Sequence, residues 1–184
     1  MKAALKEIED QMKKAVEVTK REFSELRSGR ANPKVLEGIR VNYYGTPTLL
    51  KDIATINVPE ARMFVINPWD PNSIKDIEKA ILQSDLGLTP LVDGKVIKLI
   101  VPPLSEERRQ ELIKIVKKIA EEGRISIRTI RRDAKERIHS LEKEKKISED
   151  DKFTGEKKLQ ELTHKYTEEI EKLLAEKEKE LEER

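Results

Sequence analysis

The sequence predicts an α+β protein: an elongated antiparallel three-helix bundle with a small β/α/β domain inserted between its first and second helices. Three observations lead there. Apolar residues recur at alternating spacings of three and four in three separate stretches, the mark of amphipathic helices. Between the first and second of these stretches the pattern changes to short β-branched runs punctuated by Gly, Pro and Asn. Finally, 40% of the 184 residues are charged and only 36% are hydrophobic, with 4% aromatic, which is too polar for one large core but suits long helices with narrow seams.

The first seam runs through Leu5, Ile8, Met12, Ala15, Thr19, Phe23 and Leu26 and stops at Gly29, with Pro33 just beyond. A second runs through Leu112, Val116, Ile119, Gly123, Ile127, Ile130, Ala134, Ile138 and Leu141. It opens at Pro102-Pro103-Leu104-Ser105, where Ser105 is the expected N-cap and Glu106 and Glu107 complement the helix dipole. A third begins at Ser148, whose spacing from Asp151 is that of a capping box, and continues through Leu159, Leu162, Tyr166, Ile170, Leu173 and Leu181. The last two helices have about 35–40 residues and span ~55–60 Å. Single-striped helices of that length are not stable alone, so the three are expected to pack together.

In the middle of the chain, Gly38 to Tyr44, Ala54 to Val58, Arg62 to Ile66 and Lys95 to Val101 read as strands. Ser73 to Leu86 reads as a short helix, with Ser73 and Asp76 as its capping box and Gly87 as its end. Turns are expected at Tyr44-Gly45-Thr46-Pro47 and Asp93-Gly94. The predicted domains are therefore residues 1–30 with 104–184, and residues 31–103. Two strands of chain join them at a hinge, Arg30-Ala31-Asn32-Pro33 and Val101-Pro102-Pro103-Leu104. Proline locks φ, so each crossing is stiff in itself and bends about its ends.

Several chemistries are excluded or disfavoured. With no Cys there are no disulfides and no thiolate chemistry. No apolar run reaches membrane-spanning length and MKAALKEIEDQMKK is not a signal peptide, which predicts a soluble, cytoplasmic protein with no membrane partner. The charge density hints at a heat-tolerant source. No phosphate-cradling glycine pattern occurs, and His139 and His164 sit on separate helices without metal-ligand spacing. Asp85 and Asp93 are assigned to turns, and Trp69 to a core or turn anchor. No catalytic residue, metal ligand or cofactor site is predicted.

The positive signal is charge. The net charge is only +2, yet Ser105 to Lys146 holds 14 Lys and Arg against 9 Asp and Glu, and Ile147 to Arg184 holds 8 against 13. A basic segment thus precedes an acidic one, and the basic one suits a polyanion. Its centre is RISIRTIRRDAKER, Arg124 to Arg137. Arg124, Arg128, Arg131 and Lys135 fall in one helical row beside the apolar row of Ile127, Ile130, Ala134, Ile138 and Leu141. Within the stretch only Asp133 and Glu136 offset six cations, and the guanidinium fork suits phosphate oxygens. Without interleaved aromatics the row fits backbone contact with a folded RNA or a duplex, read by shape, better than single-strand stacking.

Seven short stretches then combine: LRSGRANP from Leu26, YYGTP from Tyr43, INPWD from Ile66, SDLGL from Ser84, PPLSEERR from Pro102, IRTIRRD from Ile127 and SEDD from Ser148. In their order and spacing the chain resembles the bacterial ribosome recycling factor family over nearly its whole length. Thr89 and Thr129 stand where that family commonly has Asn, and His164 where it has an acidic residue. The resemblance implies a translation factor without catalytic activity. With elongation factor G and its GTP hydrolysis, it would split post-termination ribosomes into subunits and release mRNA and tRNA. It implies a monomer whose bundle lies against the 23S rRNA of the large subunit while the smaller domain swings at the hinge. By matching position Arg109, Arg128, Arg131 and Arg132 are the expected RNA contacts, with Arg27 and Arg30 secondary. Two other readings of the residues are a dimerising helical adaptor with an incidental basic face and an RNA-processing enzyme acting through the inserted domain.

Overall fold

The computed structural model describes residues 2–183. Its helices are α1 (Lys2–Glu25), α2 (Pro33–Glu37), α3 (Ile74–Leu82), α4 (Glu106–Lys143) and α5 (Glu149–Glu182). Its strands are β1 (Arg40–Tyr43), β2 (Thr46–Leu49), β3 (Ala54–Glu60), β4 (Met63–Pro68), β5 (Pro90–Asp93) and β6 (Val96–Ile100). This is the α+β class that the patterning predicts. The chain divides into two compact units, one made of residues up to Ser28 with those from Ser105 onward, the other Gly29–Leu104.

The first unit is a bundle of α1, α4 and α5. Both long helices begin as their caps dictate: Ser105 Oγ accepts the Arg108 N–H at 3.2 Å, and Ser148 and Asp151 exchange the two bonds of a capping box. Cross-helix pairs fix the directions. Arg137 reaches Glu7 and Gly123 lies against Thr19, so α4 runs antiparallel to α1. Arg124 reaches Glu171 and His139 reaches Glu156, so α5 runs antiparallel to α4.

The buried seams are Ile8, Met12, Val16, Thr19 and Phe23 on α1, Leu112, Val116, Ala120, Gly123, Ile127, Ala134 and Ile138 on α4, and Gly155, Leu159, Tyr166, Ile170, Lys177 and Leu181 on α5. Each fully buried aliphatic side chain stabilises the bundle by ~1.5–3 kcal/mol. Two expectations are corrected here. Val16 and Ala120, not Ala15 and Ile119, take the buried positions, because each seam drifts by one residue where spacings of three and four alternate. On α5 the gap between Leu173 and Leu181 is filled by Lys177, which buries its stem and turns its ammonium to both Glu180 oxygens at 3.3 Å.

The second unit contains a β1–β2 hairpin and an antiparallel sheet ordered β3-β4-β6-β5. Tyr44 (φ 49°) and Gly45 (φ 84°) form the hairpin's two-residue turn, whose left-handed conformation matches the strand twist. Phe64, Ile66, Ile97 and Leu99 line one sheet face and share a single buried cluster with Ile77 and Ile81 of α3, Leu36 of α2, Val41, Leu50 and Ile53. Between Asn57 and Glu60 the β3–β4 register shifts.

Four features differ from expectation. Strands β2 and β5 and the five-residue α2 are additional. The helix read to Leu86 ends at Leu82. Ser73 makes no cap bond, because its hydroxyl donates to the Asp70 carbonyl at 2.6 Å; the side chain that caps the preceding turn is Asp70, which accepts the Asn72 N–H. Of the two roles expected for Trp69 the core is excluded, since it is 64% exposed, and the turn anchor stands. It sits in the bend after β4, its backbone N–H bonds Ile53 and its indole donates to Thr55 Oγ1 at 3.0 Å.

Candidate nucleic-acid interface

Helix α4 carries the basic row, and the structure sorts its cations by what already holds them. Arg124 is the least available. Its side chain is only 23% exposed and bridges two carboxylates, Nε to Glu121 at 2.7 Å and Nη1 to Glu171 of α5 at 2.6 Å. Arg128 shares Glu121, donating to its other oxygen at 2.7 Å. These bonds, from Arg128 first and then Arg124, hold the Glu121 carboxyl below its ordinary pKa, so it stays ionised and keeps both guanidinium groups engaged. Arg132 makes a long contact with Asp133 at 3.3 Å, and Arg137 donates to Glu7 of α1 at 3.0 Å.

The pairing is therefore fuller than Asp133 and Glu136 alone imply. The acceptors that the sequence count misses are Glu121, just outside the counted stretch, and Glu171 and Glu7, brought in by the neighbouring helices. What remains is localised. Among the described residues Arg131 and Lys135 make no ion pair within 4 Å, and both open onto a groove between α4 and the first turns of α5. The groove has a volume of about 460 Å³ and is lined also by Phe153, Glu156, Lys157 and Gln160. Its one carboxylate, Glu156, is engaged by His139 Nε2 at 2.5 Å, and that bond lowers its pKa.

The other expected contacts lie elsewhere on the chain. Arg109, in the first turn of α4, has a side chain only 14% exposed. Its Nη1 donates to Glu106 at 2.6 Å, while its buried Nε has no hydrogen-bond partner. Arg27 is exposed just beyond α1, and Arg30 is half-buried in the second unit. Of the six arginines expected to contact RNA, only Arg131 belongs to the groove, and Arg128 lies one turn before it. Phe153 and Lys157 were not singled out from sequence. Their spacing of four on α5 puts them on one face, but the link to α4 comes only from the fold.

Of the eight residues expected at the hinge, Ala31, Asn32, Pro33 and Val101 are fastened within the second unit. Ala31 N–H donates to the Ala61 carbonyl and Val101 N–H to the Arg62 carbonyl, each at 2.8 Å, so the turn between β3 and β4 holds both. Asn32 caps α2 by accepting the Lys34 N–H at 3.1 Å, and Pro33 occupies the first helical position, where a missing N–H costs nothing.

Among the described residues no group of three or more His, Asp or Glu is placed to hold a metal ion, and no helix is long and apolar enough to cross a membrane.

Comparison with known proteins gives a consistent result. The family model described as "Ribosome recycling factor" matches residues 19–181. The ribosome-recycling factor of Carboxydothermus hydrogenoformans is 53% identical over 177 residues, covering 96% of each chain. That of Desulforamulus reducens is 51% identical over 181 residues, covering 98% of each. A solution structure of ribosome recycling factor superposes with a TM-score of 0.74 at 48% identity, covering 98% of this chain and 96% of the other. A second structural match, with a TM-score of 0.64 at 41% identity, covers 98% and 97%. It belongs to models of the Thermus thermophilus factor and Escherichia coli elongation factor G bound to the E. coli post-termination complex.

Proposed function

The chain belongs to the ribosome recycling factor family, and from that membership we propose that it splits post-termination ribosomes into subunits with elongation factor G and GTP hydrolysis, releasing mRNA and tRNA. A relative 41% identical over nearly the whole chain is the one placed with elongation factor G on a post-termination complex. In this reading the protein is a cytoplasmic monomer, not an enzyme, and the hydrolysis is the partner's. Its bundle binds the 23S rRNA of the large subunit through phosphate contacts along α4.

The observation that carries the binding face is the pairing pattern. Arg131 and Lys135 have no ion-pair partner among the described residues, so they meet phosphates without first breaking an internal bond. Arg128 must be drawn from Glu121, and Arg109 is largely buried and paired with Glu106. Arg132, Arg27 and Arg30 are secondary contacts. The bend between domains 1–30 with 104–184 and 31–103 falls at the two crossings. The bonds from Ala31 and Val101 to the β3–β4 turn favour narrowing it to the residues just outside them, near Gly29-Arg30 and Pro102 to Leu104.

Light scattering of post-termination ribosomes tests this. The expected drop requires this protein, elongation factor G and GTP together. Arg131→Ala slows it by weakening binding and lowers the salt dependence by about one unit of slope. Arg128→Ala has the smaller effect. A drop without elongation factor G overturns the mechanism, and a drop unchanged in the Arg128→Ala/Arg131→Ala variant overturns the binding face.

A further inference from the structure

Resting on that reading, we infer that the groove between α4 and α5 receives one unpaired nucleotide of the ribosomal RNA, with its base stacked on Phe153 and its phosphate held by Arg131, Lys135 and Lys157. The basic row taken alone predicts backbone contact without stacking, because its own helix offers no aromatic ring. The fold supplies one from the next helix. Phe153 lies in the second turn of α5, is 71% exposed and takes no part in the bundle seam.

Its surroundings make it more than an isolated surface ring. Three cations converge on the groove, and none of the three forms an ion pair within 4 Å among the described residues. The single carboxylate there already has a partner in His139. Lys135 also lies near enough to Glu156 to help hold it ionised, which leaves Arg131 and Lys157 without a carboxylate. The groove suits an occupant anionic at one end and flat and apolar at the other. Gln160 adds an amide that both donates and accepts, as the edge of a base demands. A volume of about 460 Å³ lies within the range of sites that enclose small ligands. A paired base keeps its faces inside the stack, so the nucleotide is one that a loop or bulge leaves free.

The test measures affinity of the full chain for isolated large ribosomal subunits at several salt concentrations, with splitting followed in parallel. Phe153 is exposed, so substitutions there leave the fold intact, which circular dichroism checks. Phe153→Ala is expected to weaken binding about tenfold with an unchanged salt slope, because stacking releases no counterion. Phe153→Tyr keeps the affinity. Lys157→Gln weakens binding and lowers the slope by about one. Phe153→Ala binding as tightly as the parent overturns the nucleotide while leaving the recycling function standing. Normal binding with lost splitting also overturns it, in favour of a protein segment in the groove. A parent protein that does not bind large subunits overturns both readings together.

Discussion

In the bundle, buried side chains recur at spacings of three, four or seven residues along each helix, strung out over three seams. In the inserted unit a comparable set is gathered into one cluster around Phe64 and Ile66. The first arrangement spreads the hydrophobic contribution thinly and leaves most of each helix surface free for charge. The second concentrates it behind one sheet face. Where a core is linear, close approach of backbones at a few small residues decides how well the helices meet; where it is clustered, a few large side chains decide.

The largest test of that contrast is Phe64→Ala. It removes a fully buried ring from the centre of the cluster and is expected to cost ~4 kcal/mol. Trp69, the chain's one tryptophan, lies in the same unit, while most helical residues lie in the other. Tryptophan fluorescence should therefore report an early transition while the far-ultraviolet helical signal persists. Coincident loss of both signals would show that the two cores are one cooperative unit.

Next is Gly123→Val, where α4 lies against side chains of both α1 and α5. Even a Cβ there would stand 2.5 Å from Thr19 Oγ1 and 3.1 Å from Ile170 Cδ1. The crowding is expected to cost ~2–3 kcal/mol, seen as a lower denaturant midpoint in the helical signal with Trp69 fluorescence unmoved.

The smallest effect is Ser148→Ala, which loses one cap and lowers Tm by about 3 °C at neutral pH. Its pH dependence sharpens the point. Bonds from Ser148, the side chain first and the backbone N–H second, hold Asp151 below its ordinary pKa. A carboxylate depressed in the folded state contributes stability that is present above its unfolded pKa and lost as pH falls through the folded one. The gap between parent and variant should thus be full at pH 7 and shrink as the solution is acidified below about pH 4. A gap that widened in acid would contradict the capping box.

How much was legible follows from the same contrast. Seams of period 3.6 identify all three long helices, and Ser105 and Ser148 the caps of the last two. What they miss is which of two adjacent residues goes inside, as with Val16 and Ala120, the residues outside the apolar pattern that are buried on α5, Gly155 and Lys177, and the end of α1 at Glu25. In the inserted unit β3, β4 and β6 announce themselves by β-branched runs. Strands β2 (TPTL) and β5 (PLVD) have four residues each and a proline, too short for alternation to register. The signals of their hairpin turns were nevertheless visible, and a two-residue turn needs a partner strand on both sides. Tyr44-Gly45 is the first turn. Gly94 opens the second, which is Gly94-Lys95 because Asp93, expected in the turn, pairs with Val96 as the last residue of β5. Helix α2 carried its own signals in Asn32 and Pro33, but five residues show no period. At the interface the cations were legible and their acceptors were not. Glu7 and Glu171 lie on other helices, and only folding decides which arginines they occupy.

The two outer strands of the inserted sheet have a bearing on association. An exposed strand with free N–H and C=O groups is a template for adding another chain. Here β5 has only four residues and begins with Pro90, while β3 breaks register between Asn57 and Glu60 with Pro59 between them. Neither edge offers an unbroken ladder. The sheet is thereby closed to growth by strand addition, and concentrated solutions of the protein should resist fibril formation.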